Sequence, residues 1–137
     1  MVILDTAVVY KWFAKNEGDS LLALNILQKH VNGQEKIIVP ELILYELANA
    51  WVTKKAIPSA IIKTNLKDLQ EAGLGIESST FDLIAKAVAF AKKYNVTVYD
   101  SIYAVLAKEK GCKLITADKK FAEKINLPYV KLLEDFN

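Results

Sequence analysis

Hydrophobic positions in this chain follow two alternating patterns: short unbroken apolar runs, and longer stretches in which apolar residues recur every three or four positions. The first pattern predicts strands buried on both faces, the second amphipathic helices. Met1-Val2-Ile3-Leu4 is a strand that stops at Asp5, and Val8, Val9, Trp12 and Phe13 then follow helical spacing to Ala14. Asn16-Glu17-Gly18-Asp19 breaks that helix, and a second, over 20–31, rests on Leu21, Leu24, Ile26, Leu27 and Val31. Ile37-Ile38-Val39 is the next strand. Pro40, whose missing N–H suits a first helical turn, is expected to open a helix reaching about Lys55. Further helices are predicted over 57–72 and 81–94, with a weak strand at 74–77 between them. The β-branched run Val96-Thr97-Val98-Tyr99 predicts a strand ending at Asp100, followed by a helix to Gly111. Lys113-Leu114-Ile115-Thr116-Ala117 predicts a strand ending at Asp118, followed by a short helix through Ile125 and a last edge strand at 129–133. Strands alternating with helices in this way predict an α/β fold, a central and mostly parallel sheet flanked by helices in a Rossmann-like three-layer α/β/α arrangement.

Three of the predicted strands end in an aspartate: Asp5, Asp100 and Asp118. In a parallel sheet those residues share the carboxyl edge, where ligands of open α/β sheets bind. Glu46 lies about 9 Å along its helix from the end of the Ile37–Val39 strand, at 1.5 Å per residue. Its side chain leans toward the helix N-terminus and so toward the same edge. Each aspartate alone is explained by helix capping. Glu46 is not: it falls inside a helix on an otherwise core-facing stripe, where a lone carboxylate is costly. Four acids at one edge repel one another and call for a cation. With no lysine placed to neutralise them, a divalent metal is the expected partner. Ligation by oxygen alone selects Mg²⁺ or Mn²⁺. His30 is expected at the surface rather than among the ligands.

Composition narrows this picture. The chain has 137 residues, 53% of them hydrophobic, which suits one domain over 1–137 with a full core. It shows neither a membrane-length apolar run nor a leader pattern, so a cytoplasmic protein with no membrane partner is expected. Cys112 has no other cysteine to pair with and is expected to be an inert small hydrophobe. The net charge is only +2, yet every basic residue but His30 is lysine. Setting four acids in a site leaves the remaining surface more basic, which favours a polyanion through point charges rather than arginine forks.

Leu4-Asp5-Thr6, Tyr45-Glu46-Leu47-Ala48-Asn49, Tyr99-Asp100-Ser101-Ile102-Tyr103 and Thr116-Ala117-Asp118 resemble, in order and spacing, the four motifs of PIN-domain ribonucleases, most closely VapC-type toxins of toxin–antitoxin pairs. The resemblance implies an acidic quartet of Asp5, Glu46, Asp100 and Asp118, both catalytic and metal-binding, with Asp5 and Asp100 the principal ligands. Thr6, Thr116, Ser101 and Asn49 are implied as supporting residues, Ser101 helping to cap the Asp100 helix, and Lys119 and Lys120 as RNA contacts. It also implies a Mg²⁺- or Mn²⁺-dependent endoribonuclease that hydrolyses phosphodiester bonds with a metal-activated water, a small antitoxin partner and a homodimer. The aromatic residues Tyr10, Trp12, Phe13, Tyr45 and Trp51 suggest a groove suited to an inserted peptide. Two other classes remain: a stand-alone RNA-processing nuclease, and a non-catalytic module of the same fold whose acids cap helices or hold a structural ion. A receiver-type phosphoacceptor needs paired acids after its first strand, and Leu4-Asp5-Thr6 lacks them. No glycine-rich phosphate loop follows any strand, which removes a nucleotide-binding reading.

Overall fold

The computed structural model of the protein describes residues 1–14, 18–53 and 57–136. Its sheet has five strands: β1 (Val2–Leu4), β2 (Ile37–Pro40), β3 (Gly75–Glu77), β4 (Lys113–Thr116) and β5 (Val130–Leu132). All neighbours pair in parallel, in the order β3-β2-β1-β4-β5. The inner strands are apolar without alternation because both faces are covered: Val2 to Leu4, Ile37 to Val39, Leu114 and Ile115 are all buried.

The helices are α1 (Thr6–Tyr10), prolonged by a 3-10 turn at Lys11–Phe13, then α2 (Ser20–Val31), α3 (Leu42–Thr53), α4 (Ser59–Glu71), α5 (Phe81–Tyr94), α6 (Val98–Lys110) and α7 (Lys119–Ile125). This is the three-layer α/β fold that the periodicity predicts. Among the described residues no helix is long and apolar enough to cross a membrane. The predicted break at Asn16-Glu17 and the predicted helix end at Lys55 fall on residues outside those described.

Two boundaries differ from expectation. Val96–Tyr99 is not a strand. Thr97 caps α6, its hydroxyl accepting from the Asp100 N–H at 3.1 Å, so Asp100 stands in the first turn of a helix. Thr97-Val98-Tyr99-Asp100 carries the Ser/Thr-x-x-Asp/Glu start signal of a helix, and this outweighs the β-branched run. Val98 packs on a helix pair instead, against the cluster of Leu83 and Ala87 of α5 with Ile102 and Val105 of α6, while Val96 packs on the main core and Tyr99 is exposed. Pro40 ends β2, where its register partner is Glu77, rather than opening α3. Its fixed φ suits extended backbone as well as a first helical turn.

The core also absorbs most of the aromatic set. Trp51 is fully buried, and Phe13 meets it edge-on with ring centroids 5.1 Å apart. The Trp12 indole N–H donates to the Ala23 carbonyl at 2.9 Å. Only Tyr45, 67% exposed, points well away from the core. Burial pushes the half-buried Cys112 thiol upward, away from reactivity.

His30 is half-buried rather than at the surface. Its Nδ1 accepts from the Ile37 N–H at 3.1 Å, which assigns the proton to Nε2, lying 3.1 Å from the Ala72 carbonyl and 3.2 Å from that of Gly73. One imidazole thus ties the end of α2 to the start of β2 and the end of α4. His30→Ala is expected to lower unfolding free energy in urea titration by about 1–2 kcal/mol, because it strands a strand N–H.

Candidate functional site

In the order β3-β2-β1-β4-β5 the chain leaves β1 in one direction and returns to its other side at β4, so the crevice beyond these two strands is the topological switch point of the sheet. The backbone joins them there, the Asp5 N–H donating to the Ile115 carbonyl at 3.2 Å. Asp5 caps α1, with Oδ1 accepting from the Val8 N–H at 3.1 Å. Its Oδ2 accepts from the hydroxyl of Thr116, which is fully buried. The same hydroxyl oxygen accepts from the Asp118 N–H at 3.0 Å, and Asp118 caps α7 through the Phe121 N–H at 3.0 Å. Thr116 therefore links two of the acids.

A cavity of about 360 Å³ opens beside this link. Asp5, Glu46, Asp100 and Asp118 all lie on its wall, with Thr6, Ala7, Tyr10, Lys11, Ala50, Tyr103 and Ala117. The four acids come from the ends of β1 and β4 and the early turns of α3 and α6. Thr116, Ser101, Asn49, Lys119 and Lys120 do not line it. Thr116 acts from behind Asp5, and Ser101 is fully buried, donating to the Thr97 carbonyl at 2.6 Å inside the capped turn. Asn49 is exposed on α3, and Lys119 and Lys120 are exposed at the start of α7.

Two wall residues escaped the sequence reading. Lys11 lines a cavity expected to have no lysine. Tyr103 is 2% exposed and donates its hydroxyl to Glu46 Oε1 at 2.5 Å, while Thr6 donates to the same oxygen at 2.7 Å. The available signal for Tyr103 was its place three residues after Asp100, on the same face of α6.

Electrostatics follow from this enclosure. Burial, helped by the charges of Asp100 and Asp118, pushes the Asp5 carboxyl up to about 7 against the bonds from Thr116 and Val8. The Asp100 carboxyl is also raised, first by burial and then by Asp118 and Glu46. Burial and Glu46 hold the Tyr103 phenol well above its ordinary range. As placed, and among the described residues, no three His, Cys, Asp or Glu side chains are close enough together to hold one ion. The donor set still fits a hard divalent ion, which binds through one or two carboxylates and fills its remaining positions with water. Two carboxyls whose charged forms are disfavoured by burial and by neighbouring acids are groups such a cation would stabilise as carboxylates.

A family profile for the PIN domain matches residues 2–126. Ribonuclease VapC3 of Pyrobaculum aerophilum is 30% identical over 101 residues, covering 71% of this chain and 77% of that protein. A crystal structure of another P. aerophilum protein superposes with a TM-score of 0.73 at 20% identity, covering 97% of this chain and 90% of that one. A toxin–antitoxin complex from Klebsiella pneumoniae gives 0.70 at 17% identity, covering 95% of each chain.

The Asp5 shift has a definite sign in metal-free protein. Its folded value of about 7 lies above the ordinary 3.8, so its contribution is fully present below pH 4 and is lost as pH rises through 7. Wild-type protein in chelator is expected to lose up to about 4 kcal/mol of unfolding free energy from this group between pH 4 and 8. Asp5→Asn, which keeps a capping oxygen, should flatten that slope. Equal slopes in denaturant titrations of the two proteins would refute the assignment.

Proposed function

The chain belongs to the PIN-domain family, and from that membership we propose that it is a Mg²⁺- or Mn²⁺-dependent endoribonuclease acting as the toxin of a toxin–antitoxin pair. The observation that carries the proposal is the arrangement of Asp5, Glu46, Asp100 and Asp118 on one cavity at the switch point of the sheet. The name of the ribonuclease relative supports the activity. The toxin–antitoxin complex of similar fold supports a small antitoxin partner. A homodimer of 137-residue PIN domains working in the cytoplasm completes the reading.

Asp5 and Asp100 are the principal ligands in this proposal, with Glu46 and Asp118 completing the acidic wall. A divalent ion at such a site supplies Lewis acidity, lowering the pKa of a water and offsetting the charge that develops on the phosphoryl oxygens during in-line displacement. Thr116 and the first turn of α1 fix both oxygens of Asp5, so that carboxyl is oriented before any ligand arrives. Thr6 and Tyr103 anchor Glu46 through one oxygen, Oε1. Lys11, on the cavity wall, adds a positive residue beside the acids in this reading. Lys119 and Lys120, exposed beside Asp118, are the residues this reading assigns to the flanking backbone.

The test is cleavage of a defined single-stranded RNA by purified protein. Activity is expected with Mn²⁺ or Mg²⁺ and not with chelator. Asp100→Asn should lose at least about a hundred-fold in rate, because the ion supplies several kcal/mol and each 1.4 kcal/mol is tenfold. Its melting temperature in chelator should not fall. No cleavage with either metal, or an Asp100→Asn protein as active as wild type, would end the proposal; unfolding of that variant would assign Asp100 a structural role instead.

A further inference from the structure

Glu46 is the acid whose position capping does not explain, and three helices meet at its carboxyl. Its Oε1 accepts from Thr6 Oγ1 of α1 at 2.7 Å and from the Tyr103 hydroxyl of α6 at 2.5 Å, and those two hydroxyl oxygens are 2.8 Å apart. Three short contacts share only two hydroxyl protons. Tyr103 has the shortest of them, and it supplies Glu46 with a donor whether the Thr6 proton points at the carboxylate or at the phenol oxygen. The tyrosine ring cannot swing away, because it lies within the run from Ser101 to Ala107 in which every residue is buried. A glutamate has three rotatable side-chain bonds and sweeps a wide volume unless it is held. Both donors fall on one oxygen, so the carboxyl is anchored at the cavity wall and left only to pivot about that point.

We propose that Tyr103 is a positioning residue for the cation site: by donating to Glu46 it holds that carboxylate at the wall, and so raises affinity for a divalent cation it does not itself touch. This rests on the reading that the acidic cavity holds such an ion. Asp100 and Tyr103 are three residues apart on α6, so one helical face carries both a ligand acid and the hydroxyl that orients another acid. Partners of this outer kind change metal affinity by about 10–100-fold when removed.

The experiment is a set of Mn²⁺ binding isotherms, by calorimetry on the full chain, for wild type, Tyr103→Phe, Glu46→Gln and the double variant, with melting curves in chelator. Phe keeps the ring and removes only the hydroxyl. Tyr103→Phe is expected to weaken Mn²⁺ binding about 10–100-fold. The double variant should bind no more weakly than Glu46→Gln alone, because the tyrosine acts only through the glutamate. A tyrosine that merely tied α6 to α3 would lower the melting temperature and leave Mn²⁺ affinity unchanged, and that result would overturn the inference. So would losses that multiply in the double variant. Wild-type protein that binds no Mn²⁺ would overturn the cation reading and this inference together, whereas intact binding in Tyr103→Phe would overturn this inference alone.

Discussion

Everything at the carboxyl edge of this sheet depends on keeping an aspartate where burial opposes its charge. Asp5 follows a strand that is buried along its whole length, and desolvation is the largest influence on its carboxyl. Two donors hold it there, the Val8 N–H from its own helix and the Thr116 hydroxyl from the neighbouring strand. Because Thr116 also receives the Asp118 N–H, one fully buried hydroxyl fixes the spacing of two acids and the register of β1 on β4 around them. A lone carboxylate in such a position destabilises the protein; a carboxylate with defined donors and a cation to meet becomes a prepared ligand.

The strand-end acids were legible because two signals coincide at each: an apolar run stops and an N-cap begins. That holds for Asp5 and Asp118. Asp100 was placed at the right edge by the wrong element. Its β-branched approach imitates a strand, but Thr97 caps a helix that starts there, and a local capping bond is available where a pairing strand is not. Glu46 was legible as a charge with no structural excuse. Its two hydroxyl partners were not, because Tyr103 belongs to an apolar helical stripe and only tertiary packing brings it across to α3. His30 is similar. Its bonds reach 7, 42 and 43 positions along the chain, distances at which periodicity carries no information. Lys11 escaped because the sequence signal there is the apolar stripe of Val8, Val9, Trp12 and Phe13, whereas Lys11 lies four residues after Ala7, on the other face that turns to the cavity.

The charge distribution is divided in a way that suits a polyanionic substrate. The cavity wall carries four acids and Lys11, while the overall balance is +2. In the proposed function, a net positive chain meets a phosphate backbone whose charge four acids at the cavity oppose at close range. On the proposed reading, the bound cation resolves that contradiction at the one place where a phosphate has to be accepted. On the same reading the neighbouring lysines, strongly hydrated point charges, would draw the strand in without clamping it in a fixed geometry.

The seam between β1 and β4 also governs when the site comes into being. Asp5 and the hydroxyl that orients it are separated by 111 positions, and Asp118 lies farther along still. While the protein is being synthesised, Asp5 and the strand before it are made first, and the threonine that completes them follows only after that whole intervening stretch. A partly made chain thus holds Asp5 without its orienting hydroxyl and without Asp118. On the proposed reading, catalytic competence waits for Thr116 and Asp118, so a chain halted before them carries an unfinished site.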